Sequence, residues 1–125
     1  MPKTQINTEK APAAIGPYSQ GITSGSMVFT SGQLPIVAAT GEMPADPAEQ
    51  AKVSLTNVKA VLEAAGSSME KVIKVTVFVQ DLAHFAAINE VYQSFFAAPY
   101  PARSCVQVAR LPKDALVEIE AIAVK

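Results

Sequence analysis

The chain has 125 residues, half of them hydrophobic, with no Trp, three Tyr and five Phe, so a core must rest on Val, Ile, Leu and Ala. Ten basic residues against eleven acidic ones leave it near neutral, which argues against a polyanion binder built on a basic stripe. One Cys rules out an internal disulfide, and one Cys with one His falls short of a His/Cys metal site, so no metal is expected. The start, "MPKTQINTEK", lacks the apolar core of a signal peptide, and no apolar run is long enough to span a bilayer. Residues 1–125 therefore read as one small cytoplasmic domain.

In chain order, "IGPYSQGITSGSMVFTSGQLPI" holds two short β-type runs joined by Ser24-Gly25-Ser26, a hairpin signal. Met27, Phe29 and Ser31 alternate with Val28, Thr30 and Gly32, so the second run ends in small residues. A loop punctuated by Pro35, Gly41, Pro44 and Pro47 follows. Asp46 is then an N-cap, Pro47 suits the first helical position, and Glu49 stands three residues after the cap. Ala51, Leu55, Val58, Leu62 and Ala65 recur at steps of four and three, predicting a core-facing helix that Gly66 ends. "KVIKVTVFVQ" is apolar on both faces and reads as a central strand.

A second helix is expected after Asp81, with Phe85, Ile88, Tyr92 and Phe95 or Phe96 buried, ending before "APYP". "YPARSCVQVARLPKDALVEIEAIAVK" then supplies two strands about the "LPKD" turn. The predicted class is α+β, a mixed β-sheet with two helices packed on one face. The other face is partly apolar, and oligomerisation is its expected cover.

Three charges interrupt those last two strands. Arg103 stands among small residues in "PARSCV", leaving room for its planar fork to hold a carboxylate bidentately; a structural ion pair is the competing reading. Glu118 and Glu120 share one sheet face with Ile122 and Val124, so at least one is partly desolvated and suited to proton handling or to a salt bridge. Cys105 shares the Arg103 face but has no neighbouring base, and reads better as a buried thiol than as a nucleophile. His84 falls in the first turn of the second helix and reads as a solvated surface residue. Tyr18 and the Ser31-Gly32 pair could offer a hydroxyl and backbone N–H groups to a ligand, or serve only as turn chemistry. No phosphate loop, dinucleotide fingerprint or Ser-His-Asp order is present.

Taken together, "APAAIGPYSQG", "TSGQLP", "IKVTVFVQDL", "INEVY", "PARSCVQVARLPKDA" and "VEIEAIA" resemble the Rid family of reactive intermediate (imine) deaminases, in its RidA branch, over nearly the whole chain. The resemblance implies a chorismate-mutase-like fold and a homotrimer with clefts between neighbours. It also implies cofactor-free hydrolysis of enamine/imine intermediates such as 2-aminoacrylate, giving 2-oxo acids and ammonia. Carried over by position, Arg103 would hold the substrate carboxylate and Glu118 would position water. Tyr18, Ser31, Gly32, Asn89 and Cys105 would line the cleft. Two other readings stand beside it: a non-catalytic sensor of small carboxylic acids, and the translation-inhibiting ribonuclease activity described for relatives. Near-neutral charge weighs against the second.

If the last two strands pair antiparallel about "LPKD", Arg103 lies opposite the Val124 region. It is then about six residues, or roughly 20 Å, from the level of Glu118. That separation predicts that the two residues reach one substrate only from different subunits.

Overall fold

The computed structural model describes residues 2–125. Six strands and two helices follow in the order β1 (Lys3–Ile6), β2 (Gly21–Ser24), β3 (Met27–Thr30), α1 (Pro47–Ala64), β4 (Val72–Val79), α2 (Phe85–Phe95), β5 (Ala102–Gln107) and β6 (Val117–Val124). They form one sheet in the order β1-β2-β3-β6-β4-β5, antiparallel except for the parallel β4–β5 pair. Both helices lie on one face, as the predicted α+β class requires.

Local sequence explains much of this. Gly25, at φ 58, closes the two-residue turn between β2 and β3. Asp46 caps α1, its Oδ2 accepting from the Glu49 N–H at 3.0 Å. At the other end Gly66, at φ 82, completes a Schellman pattern: its N–H donates to Glu63 O, and that of Ser67 donates to Leu62 O. Leu55, Val58, Val61 and Leu62 of α1 meet Val75, Val77, Val79, Val117, Ile119 and Ala121 of the sheet in one core. All ten are essentially excluded from solvent.

The polar N-terminus, to which the sequence pattern assigns no element, pairs with β2 over Lys3–Ile6 as a largely exposed edge strand. Two expectations are corrected. Asp81 caps a 3₁₀ turn, Leu82–His84, accepting from the Ala83 N–H at 2.8 Å, and α2 begins only at Phe85. The last two strands are not a hairpin, because β4 lies between them and β5 pairs parallel to it. β4 is an interior strand with two partners, β6 and β5, but it stands next to the sheet edge rather than at the centre its composition predicts; its Val75, Val77 and Val79 are excluded from solvent on the helix side.

The long connections are held by buried amides. Gln20 Nε2 donates to the carbonyls of Thr8, Ala11 and Pro12, while its Oε1 accepts from the Thr8 N–H. Asn57 Nδ2 donates to Leu34 O and Ile36 O, and Gln50 links Pro44 O to the Leu116 N–H. Backbone groups with no ladder to join are satisfied in this way, which fixes the loops that wall the clefts described next.

Candidate active site

The predicted site residues fall into two groups on opposite sides of the molecule. Paired residues in a sheet point to the same face, and Arg103 is level with Val75 and Ala121, whose side chains both lie in the core. Arg103 therefore leaves edge strand β5 on the helix side. There Nη1 donates to Asn89 Oδ1 at 2.6 Å, and its guanidinium carbon stands 4.6 Å from the centre of the Tyr92 ring and 5.4 Å from that of Phe85. No carboxylate pairs with it; among the described residues the only ion pair is Arg110–Asp114. Asn89, Tyr92, Gln93, Tyr100, Pro101 and Arg103 line a cleft of about 400 Å³. Tyr100, half exposed, forms part of its wall.

Glu118 is level with Phe78 and Val106 and faces the opposite, bare side of the sheet with Glu120. Its half-buried carboxyl accepts no hydrogen bond from the described residues, and its pKa is raised, first by burial and then by the Glu120 charge. The carboxyl packs over Gly32, where an added Cβ would stand 2.8 Å from Glu118 Cδ and closer still to Oε2. Only a residue without a side chain allows that approach. The "TSGQ" sequence thus carries a steric requirement as well as small size.

Tyr18 and Gly32 line a second, larger cleft of about 550 Å³ with Gln33, Leu34, Ile15 and Lys113. Tyr18 is half exposed, and its hydroxyl accepts from the Ile15 N–H at 3.4 Å. The Ser31 hydroxyl donates to Ser19 O and its N–H donates to Gln20 O, so its proton is committed to the backbone and no base activates it. Lys113 and Asp114 both take left-handed backbone conformations, at φ 58 and 56, and turn the "LPKD" segment against this cleft.

Cys105 lies on the Arg103 side of the sheet, half-buried. Burial pushes its thiol pKa up, against a smaller opposing effect of Arg103, so the neighbouring cation does not make it a ready thiolate. His84 is not a freely solvated surface residue: it is half-buried, and its Nδ1 is enclosed with no hydrogen-bond partner. No group of three His, Cys, Asp or Glu among the described residues could hold a metal, and no helix is long and apolar enough to cross a membrane.

Within one chain, Arg103 and Glu118 are two strands apart, about 10 Å across the sheet, and three residues apart along it, about another 10 Å. The predicted offset of six residues is therefore halved, because β5 and β6 are not neighbours. The separation persists for a stronger reason: the two side chains occupy opposite faces. Sequence reasoning missed Tyr92 and Phe85 as partners of Arg103, since at helical spacing they read only as core. It also missed Gln20, whose burial has no signature in the sequence.

Comparison with known proteins bears on these clefts. The family described as Endoribonuclease L-PSP matches residues 8–125. The 2-iminobutanoate/2-iminopropanoate deaminase of Escherichia coli strain K12 is 59% identical over 128 residues, covering all of this chain and 99% of that protein. The crystal structure of E. coli TdcF with bound serine superposes with a TM-score of 0.94 at 59% identity, covering 98% of both chains. The RidA structure from an Antarctic Psychrobacter also gives 0.94, at 46% identity over 98% of this chain and 99% of that one. Sequence and fold agree over the whole length, and the chain belongs to the Endoribonuclease L-PSP family, among the Rid proteins that its motifs resemble.

Proposed function

We propose that this protein, one Rid-type domain over residues 1–125, hydrolyses 2-enamine/2-imino acids. Its substrates would include 2-iminopropanoate (the tautomer of 2-aminoacrylate) and 2-iminobutanoate. The observation that carries the reading is Arg103: a guanidinium with no acidic partner, held at a cleft in a chain 59% identical to a 2-iminobutanoate/2-iminopropanoate deaminase. Arg103 binds the substrate carboxylate and fixes the imine carbon. Glu118 orients a water for attack on that carbon and passes a proton toward the nitrogen. Water adds across C=N, the C–N bond of the resulting carbinolamine breaks, and a 2-oxo acid and ammonia leave. Tyr18, Ser31 and Gly32 from one subunit and Asn89 and Cys105 from its neighbour would together line the cleft. No redox change occurs and no cofactor is needed.

The working form is a homotrimer with its sites between subunits. Met27, Phe29, Phe78, Val106, Ile122 and Val124 give the bare sheet face an apolar surface, with Phe29 and Val106 about 40% exposed. Arg103 projects from β5 at the edge of the sheet, so in that trimer the edge of one chain would meet the Glu118, Gly32 and Tyr18 side of the next. The setting is cytoplasmic, in keeping with the lone reduced Cys.

Complementation tests the arrangement. Arg103→Ala and Glu118→Ala, each inactive alone, are refolded together in equal amounts. Under random C₃ assembly about a quarter of all sites regain both residues. Activity staying at the level of the separate variants, despite proven mixing, would place both residues on one chain.

Coupling the protein to a Ser/Thr dehydratase and following the imine absorbance tests catalysis itself. Catalytic amounts should hasten the decay, with matching ammonia release, whereas a carboxylate sensor would change neither. The family's description favours a ribonuclease as the second reading. The near-neutral charge and a half-buried lone His give it little to hold or cleave RNA with. Cys105→Ser should lose no more than a few fold in rate, because the reaction uses water and not a thiolate. A dead but folded variant would bring covalent catalysis back.

A further inference from the structure

We propose that Tyr92 and Phe85 are positioning residues that hold the Arg103 guanidinium on an aromatic cradle, with its free edge presented to the substrate carboxylate. The proposal rests on the reading of Arg103 as the carboxylate ligand and adds how that side chain is kept ready. An exposed Arg on an edge strand has four rotatable side-chain bonds and would spend most of its time out of register with a ligand. Here one helix supplies the hydrogen bond and both ring contacts that restrain it. Phe85, Asn89 and Tyr92 recur at steps of four and three, forming a single stripe of α2 against β5.

The distances fit that role. The guanidinium carbon is 4.6 Å from the Tyr92 ring centre and 5.4 Å from that of Phe85, both within the range of a cation–π contact. The Tyr92 ring is itself fixed: it is only 5% exposed and packs on Phe96 at 4.7 Å between centres. Asn89 takes one Nη1 hydrogen, and neither Nε nor Nη2 has a partner among the described residues. That leaves the Nε/Nη2 edge as the fork for a bidentate carboxylate. An acidic partner would have restrained Arg103 equally well, but would have cancelled the charge that the substrate needs. Aromatic faces and a neutral amide restrain it while leaving the charge in place.

The ring rather than the phenol does this. The Tyr92 hydroxyl is buried without a hydrogen-bond partner, so it gives Arg103 nothing. Its pKa is raised, first by burial, with Arg103 opposing, which keeps the phenol neutral and denies Arg103 a counter-charge.

The test is a mutant cycle on the full protein, read by the affinity for 2-oxobutanoate as an inert carboxylate, by kcat and KM separately, and by the Arg103 Nε–H NMR signal. Tyr92→Leu should weaken 2-oxobutanoate binding and raise KM about tenfold with a much smaller change in kcat. The Nε–H signal should lose its ring-current shift, and Tyr92→Phe should restore binding and signal together. In an Arg103→Ala background Tyr92→Leu should add nothing further. If Tyr92→Leu does not fold, Phe85→Leu, at a half-buried position, should show the same pattern at about threefold. A folded Tyr92→Leu with wild-type affinity, or the same loss with Arg103 already absent, would overturn the cradle while leaving the Arg103 reading intact. Arg103→Ala binding 2-oxobutanoate as the wild type does would overturn that reading, and the cradle with it.

Discussion

Arg103→Lys should be nearly as damaging to imine hydrolysis as Arg103→Ala. A lysine keeps the charge, and if charge alone held the substrate the change would be mild. The surroundings of Arg103 are shaped for a plane, however. Asn89 Oδ1 meets Nη1 at 2.6 Å while the Tyr92 and Phe85 rings lie 4.6 and 5.4 Å from the guanidinium carbon. An ammonium is a strongly hydrated point charge with no edge to offer a carboxylate once Asn89 is satisfied. Losing a charge-assisted contact of this kind costs about 1.5–3 kcal/mol. That corresponds to a fall in kcat/KM of roughly 10- to 150-fold for either variant. Steady-state rates on freshly generated 2-iminobutanoate check it, and a near-normal Arg103→Lys rate would sink the carboxylate clamp.

What could be read from sequence, and what could not, divides along a physical line. Helix α1 was legible because its signals are local: a cap at Asp46, a Pro at its start, a stripe of apolar residues and a Gly at its end. Strand β4 was legible because its run of β-branched residues suits a strand with a partner on either edge, although its bare face carries Lys74, Thr76 and Phe78. The parallel pairing of β5 to β4 was not legible, since pairing partners are set by tertiary packing and the "LPKD" turn is equally compatible with a hairpin. β1 escaped because an exposed edge strand needs no apolar pattern. Nothing in the sequence singles out Gln20, Gln50 and Asn57, yet their amides are buried because the loops around them carry backbone groups that nothing else satisfies.

The candidate site was legible as residues and not as a place. Arg103 and Glu118 stood out because charge inside β-type sequence calls for an explanation. Their mutual geometry depended on the register across three strands, which places them on opposite faces. Tyr92 illustrates the same limit from the other side. Its spacing marks it as core, and core it is, yet the ring that packs on Phe96 also carries the Arg103 guanidinium.

Glu118→Gln should cut kcat by about 10²–10⁴-fold while leaving the binding of inert 2-oxo acids almost unchanged. The amide keeps the shape but cannot accept the proton of the attacking water. Gly32→Ala should approach the same loss by another route, since its methyl group would displace the carboxyl that packs there. Burial first, and the Glu120 charge second, raise the Glu118 pKa from its ordinary 4.5 within the single chain, so the acid limb of the rate profile should be displaced upward from that value. That limb should vanish in Glu118→Gln.

Stability should move in the opposite sense to activity. A carboxyl whose folded-state pKa is raised contributes stability while protonated, below 4.5, and loses it as pH rises through the folded value. Ionised Glu118 is therefore a cost at neutral pH, and Glu118→Gln should unfold at a higher temperature than its parent there. The gap should close as pH falls below 4.5. The comparison belongs in an Arg103→Ala background, so that no guanidinium from a neighbouring subunit offsets the charge. Thermal unfolding between pH 4 and 8 reads the sign directly. A Gln variant less stable than its parent at pH 7 would mean that Glu118 is held by a partner and is not poised for a water.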